Sequence, residues 1–252
     1  MFLCMNLFFF VAGVCIGSFL NVCIYRLPQN QSILYPPSHC GVCRQRLQIL
    51  DLIPVFSYLF SRGHCRHCGA AYSSRYTIVE LLTGCLFIWC YTVFGIGFPL
   101  IKALILTSFL LVITYIDYDH QLILDKVLLF MAGAGALIEC LTPSVGLLSM
   151  LVGSLAGGGL LLLIAIVSKG GMGGGDIKLA TVLGIYLGAK LTLLALFLSF
   201  VIGGVVAVFI LLLKRKGRRD CIPFGPFIAA GAFLSLLYGQ ELIRWYWNLC
   251  MG

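Results

Sequence analysis

Charge is what this chain has least of. Of its 252 residues only 10% are Asp, Glu, Lys or Arg, just nine residues are acidic, and 61% are hydrophobic. A soluble domain carries about a quarter charged residues, so the mean hydropathy of +1.05 excludes a water-soluble globule. Period-2 alternation is missing from the apolar runs, 191–213 for example, which excludes barrel strands. Lipid gives an exposed backbone no hydrogen-bond partner, so the spans are expected to be helices. No Lys or Arg precedes Arg26. A cleavable signal peptide needs positive charge ahead of its apolar region, so the first span is expected to be retained, with its N-terminus outside.

What is present predicts an all-α, polytopic membrane helix bundle of about eight spans. Each span needs about 20 residues unless tilted or short. They are expected near 3–25, 76–96, 99–118, 125–141, 145–168, 177–189, 190–213 and 222–248. In this order, fourteen of the seventeen Lys and Arg fall in inside loops. Among them are Arg26, Lys126, Lys169, Lys178 and the run Lys214, Arg215, Lys216, Arg218 and Arg219. That asymmetry marks cytoplasmic loops, so the net charge of +8 reads as topology and not as a nucleic-acid surface. The division expected is a first span at 1–26, a cytosolic cysteine loop at 27–75 and a membrane-embedded domain at 76–250.

The cytosolic loop holds Cys40-Gly-Val-Cys43 and Cys65-Arg-His-Cys68. Two Cys-x2-Cys knuckles with 21 residues between them can close a tetrahedral thiolate site, as in a zinc ribbon. The expected ligands are Cys40, Cys43, Cys65 and Cys68, around a structural Zn ion. His39, His64 and His67 stand beside them as substitute ligands. Two disulfides are the alternative, disfavoured in a reducing cytosol. A loop of about 50 residues needs such a staple.

Two carboxylates stand where an apolar run meets a short polar loop: Asp117 before Tyr118-Asp119-His120, and Asp176 after the glycine-rich 170–175. Ionisable groups at membrane depth are functional-site hypotheses by default. Charge counting puts both at the cytoplasmic face. Paired carboxylates share a proton, which suits an aspartic-protease mechanism. A plain helix cap explains Asp176 as well by local sequence, and a wetted loop explains Asp117, Asp119 and Asp125. The glycine run is followed by no Gly-Lys-Ser/Thr, which argues against a phosphate loop. Gly153-x-x-x-Gly157 and Gly203-Gly204 read as close helix contacts.

The ordered segments resemble the type IV prepilin peptidases, bifunctional leader peptidase/N-methyltransferases of bacterial inner membranes. The likeness runs through Gly17-Ser18-Phe19-Leu20-Asn21, the two cysteine knuckles, Arg75-Tyr76-x-x-Val79-Glu80, Ile116-Asp117-x-Asp119-His120-Gln121, Gly171-Met172-Gly173-x-Gly175-Asp176-x-Lys178 and Pro223-Phe224-Gly225-Pro226. It implies a Gly-x-Gly-Asp aspartic endopeptidase with Asp117 and Asp176 as the catalytic pair. Its substrates would be prepilins or pseudopilins cut at the cytoplasmic face, with the new N-terminus then methylated from S-adenosylmethionine. No donor-binding residue is assigned. Where the family reads Leu-Pro-Asp, this chain has Ile123-Leu124-Asp125, and Thr77 stands where a Pro often follows the Tyr. The rival reading is a transporter or channel that uses the acid pair as a proton or cation relay.

Overall fold

The computed structural model describes residues 2–213 and 223–251, all helical apart from turns, loops and two isolated bridges. The basic run at 214–219 and Cys221 lie outside the described residues. The chain forms two compact units, Met1–Leu100 and Ile101–Gly252.

In the first unit α1 (Phe2–Arg26) and α3 (Arg75–Phe94) pack together, with the short helix α2 (Phe56–Ser61) in the connection between them. The α1 signature explains the contact. A Cβ built at Gly17 would come within 2.8 Å of the Glu80 backbone, and one at Gly13 within 2.8 Å of Gly84. Asn21 Nδ2 donates to the Tyr76 carbonyl at 2.9 Å. Small residues thus bring the backbones together and an amide side chain ties them, as is common inside membranes.

The second unit carries α4 (Phe98–His120) from Ile101 onward, then α5 (Asp125–Leu141), α6 (Leu147–Val167), α7 (Gly174–Leu212) and α8 (Gly225–Met251). Six helices among the described residues are long and apolar enough to cross a membrane. Their outer surfaces are apolar: Leu155, Leu163, Phe197 and Phe209 are all exposed. That is the distribution a lipid environment selects and water does not.

Helix α7 has 39 residues and reverses at Gly188, where φ is 70° and ψ 179°. Only glycine takes such a backbone at little cost. A Cβ at Gly157 would meet both the Ala180 carbonyl at 2.7 Å and the Thr192 methyl at 2.8 Å. In a straight helix those two residues would stand about 18 Å apart. Residues 174–187 and 189–212 are therefore two arms of a hairpin, matching the spans expected at 177–189 and 190–213. With α5 counted, the described helices agree with about eight spans. Gly153 packs on Gly188 and Gly203 faces Phe227, but Gly204 opens onto free space.

Candidate functional site

Asp117 sits one turn from the C-terminal end of α4 and Asp176 in the first turn of α7. Both are buried, 6% and 8% exposed, whereas Asp119 and Asp125 are exposed. Burial thus separates Asp117 from its neighbours. The two carboxylates lie within electrostatic reach of one another.

Each is held by backbone N–H groups at a helix start. The Gly225 amide, at the first turn of α8, donates to Asp117 Oδ2 at 2.9 Å. A Cβ at residue 225 would fall 2.6 Å from that oxygen. At α7 the N-cap is Gly173, not Asp176. Asp176 occupies the third helical position, and its carboxylate accepts from the Gly173 amide. That is half of a capping box, so the expected cap role and the buried pairing coexist in one residue. Helix N-termini favour negative charge, and here two of them converge on one acid pair.

Gly174 and Gly175, the two residues before Asp176, line a cleft of ≈ 380 Å³ together with Leu122, Ile123, Leu124, Asp125 and Lys178. Ile123 closes against Gly175, where a Cβ would come within 2.8 Å. Lys178 Nζ bonds both oxygens of Asp125, at 2.7 and 2.9 Å. This exposed ion pair fastens the first residue of α5 to the start of α7. Asp125 therefore has a tethering partner that its sequence does not reveal.

The cysteine loop forms a second constellation. Sγ atoms of Cys40, Cys43, Cys65 and Cys68 all lie within 4.8 Å of one another. Cys40 and Cys68 stand 3.8 Å apart, too far for a disulfide at about 2.05 Å. The spacing equals the edge of a tetrahedron of thiolates about 2.3 Å from a central ion, about 3.8 Å. The two knuckles repeat one design. In each, the residue four after the first cysteine (Arg44, Gly69) has a left-handed backbone and donates its N–H to that cysteine's carbonyl at 2.9 Å. In each, the histidine before the first cysteine bonds the carbonyl two residues earlier: His39 Nδ1 to Pro37, and His64 Nδ1 to Arg62. Among the described residues the cluster thus comprises four cysteines, and the sequence's substitute histidine ligands are not part of it. Amides of Cys43 and Val42 pull the Cys40 thiol down to about 6. The Gln45 amide favours the Cys43 thiolate, but desolvation and the neighbouring thiols push that group up to about 11. A set sharing protons in this way is ready to exchange them for a cation.

Sequence reasoning missed three groups. Gly225 stood only as part of a motif. Glu80, in α3, is buried and accepts the Val55 amide at 2.8 Å. Glu139 of α5 pairs with Lys102 of α4 and also accepts from Ser144 Oγ at 2.7 Å and the Ser144 and Val145 amides at 2.8 and 2.9 Å. Acidic residues inside apolar runs were the available signal for both glutamates.

Residues 11–94 match the Bacterial Peptidase A24 N-terminal domain, and residues 104–208 match the Type IV leader peptidase family. The chain is 37% identical to a prepilin leader peptidase/N-methyltransferase of Bacillus subtilis (strain 168), covering 96% of this chain and 98% of that protein. Identity is 33% to the protein of the same name from Aeromonas salmonicida (strain A449), over 94% and 92% of the two chains. The Dichelobacter nodosus protein is 34% identical, over 93% and 92%. No solved structure gives a significant match. Matched along nearly its whole length by such relatives, this chain belongs to the type IV leader peptidase family.

Proposed function

We propose that this protein is a membrane aspartic endopeptidase that removes the leader of type IV prepilins or pseudopilins, with Asp117 and Asp176 as its catalytic pair. The observation that carries the reading is the burial of these two carboxylates within electrostatic reach of one another, each receiving a helix-terminal amide. In such a pair the charged member takes a proton from water as the oxygen attacks the scissile carbonyl carbon. Its protonated partner donates to the carbonyl oxygen, giving a neutral tetrahedral diol. Collapse of the diol breaks the C–N bond, with one carboxyl protonating the departing amine and the other recovering a proton from the diol. The pair ends with the single proton it began with.

By the charge asymmetry of the loops, the N-terminus faces outside and the acid pair works at the cytoplasmic face of the bacterial inner membrane. Cys40, Cys43, Cys65 and Cys68 would hold a structural Zn ion, which when bound closes the loop and offers no open position to substrate. Methylation of the new N-terminus from S-adenosylmethionine is the second activity, read from the relatives' names. The relay reading gains no support, since the glycine break before Asp176 has no counterpart in the other half of the sequence.

The test incubates membranes containing the protein with a synthetic prepilin leader substrate. Cleavage should vanish in both Asp117→Asn and Asp176→Asn; cleavage that survives both would sink the acid-pair mechanism. Labelled S-adenosylmethionine in the same reaction should label the mature product, and an unlabelled product removes the second activity.

A further inference from the structure

Helix α2 is built inside out for a protein surface in water. Its inner side carries hydroxyls: Ser61 Oγ bonds the Ser57 carbonyl and the Tyr72 hydroxyl, each at 2.6 Å, and Tyr58 meets Tyr72 edge to face at 5.4 Å. Its outer side carries Phe56, Leu59 and Phe60, exposed to 57%, 63% and 79%. These three stand at i, i+3 and i+4, one stripe of a helix. The rings of Phe56 and Phe60 lie nearly parallel, 6.4 Å apart. Leu52 and Ile53, just before the helix, are exposed too. A contiguous apolar stripe of this kind, left uncovered on one side of a helix, marks an interaction surface.

The depth of that surface is set by Glu80. Its carboxylate takes the amide of Val55, the residue immediately before α2. Glu80 is five residues into the apolar helix Arg75–Phe94, about 7 Å along its axis from Arg75. The start of α2 is therefore fastened at a level where α3 has already become apolar. The connection is tied at both ends to spans, leaving α1 at Arg26 and entering α3 at Arg75. Its charge has one dominant sign: residues 27–75 hold five arginines and a single acid, Asp51. Arg66 takes Asp51 at 3.0 Å. Arg44, Arg46 and Arg62 are exposed, and Arg62 closes α2 itself.

We propose that α2 is a membrane-surface anchor: Phe56, Leu59 and Phe60 enter the interface of the bilayer that holds α1 and α3, and the exposed arginines meet its anionic headgroups. Apolar insertion combined with basic side chains is how interfacial segments bind anionic leaflets. Pinned in this way, the cysteine loop lies on the lipid and does not tumble in the aqueous phase. The anchor does not depend on the peptidase reading.

The full chain tests it, with the photoreactive residue benzoylphenylalanine in place of the exposed Phe60 and reconstitution in lipid nanodiscs. Phospholipid should be the main crosslinked product. Its yield should be several-fold higher with about one-third phosphatidylglycerol than with phosphatidylcholine alone. That difference should shrink when Arg44, Arg46 and Arg62 are changed to Gln. Crosslinking mainly to a second copy of the chain, to an added prepilin segment or to nothing overturns the anchor. Equal yields in both lipids overturn the role of the arginines.

Discussion

The Gly225 amide reaches across 108 positions of sequence to donate to Asp117 Oδ2 at 2.9 Å. This one bond joins the end of α4 to the start of α8, and it constrains the path between them. Asp176 and Asp117 share a neighbourhood, so α7 begins at the end of the unit where α4 finishes. Had α7 crossed once, α8 would begin at the far end. The reversal at Gly188 returns the chain to the acid pair. Substituting Gly225→Ala puts a methyl group 2.6 Å from the carboxylate oxygen, and either Asp117 or the α8 terminus must move. Displacements near 1 Å cost about 10²-fold in rate. The turnover number on a leader substrate should fall by that order while KM changes little; an unchanged turnover number would mean that Asp117 tolerates displacement.

Exposure predicts which neighbouring acids are dispensable. Asp119→Asn should cleave at nearly the wild-type rate, because Asp119 faces outward while Asp117 is buried. Asp125→Asn weakens the exposed pair with Lys178, and such pairs contribute about 0–1 kcal/mol. Its unfolding temperature should barely move and its cleavage rate should stay within a few-fold. Loss of cleavage in Asp119→Asn would place the chemistry on the wrong residue.

The helix count, the two buried carboxylates and the cluster of four cysteines were legible because each leaves a local mark: a long apolar run, an acid at a run's edge, a fixed knuckle spacing. What joins them is not local. Residues 177–189 and 190–213 read as two spans, but nothing in the string shows that the reversal between them is made at Gly188. Asp176 looked like an N-cap because it follows glycine and precedes an apolar run; three-dimensional placement moves the cap to Gly173. His39 and His64 looked like spare ligands from adjacency alone. Their rings are committed to carbonyls two residues back, a distinction that only backbone geometry makes.

The pair between Lys102 and Glu139 gives a stability prediction separate from activity. Its side chains are 9% and 3% exposed, and removing one partner of a buried pair costs about 3–5 kcal/mol. Lys102→Met alone should lower the unfolding temperature in detergent markedly. The double change with Glu139→Met should recover only part of the loss, because the Ser144 and Val145 amides lose their acceptor. Lys102 lies about 22 Å along α4 from Asp117, so protein that remains folded should keep its cleavage rate. An unchanged unfolding temperature for Lys102→Met would show that the pair contributes nothing.

Val55 is β-branched yet has φ of 64° and ψ of −52°, a backbone costing about 1–3 kcal/mol. Its amide is held there by Glu80. Val55→Gly should stabilise the loop by about 1 kcal/mol after the extra entropy of glycine is subtracted. Glu80→Ala should do the opposite, by about 1–3 kcal/mol, through an amide left without its acceptor. Hydrogen exchange at residues 55–61 separates the two cases: slower in the first variant, faster in the second. Faster exchange in both would mean that the Val55 side chain, not the Glu80 bond, holds the segment.

The thiolate cluster predicts its own stoichiometry. Four sulfurs within 4.8 Å of one another fit one tetrahedral ion, so purified protein should carry about one Zn per chain. The two matched knuckles each supply two ligands, so losing either should open the site. Cys65→Ser should therefore lose most of its metal, and Cys40→Ser should do the same. Cys85→Ser changes a cysteine outside the cluster and should keep the ion. Without it, residues 40–68 keep little apolar packing of their own: Val42, Ile49 and Leu50 are all exposed. Limited proteolysis should then cut in this segment and spare the helices of the second unit, which has its own packed core. Full metal content in Cys65→Ser would show that the knuckles do not share one ion.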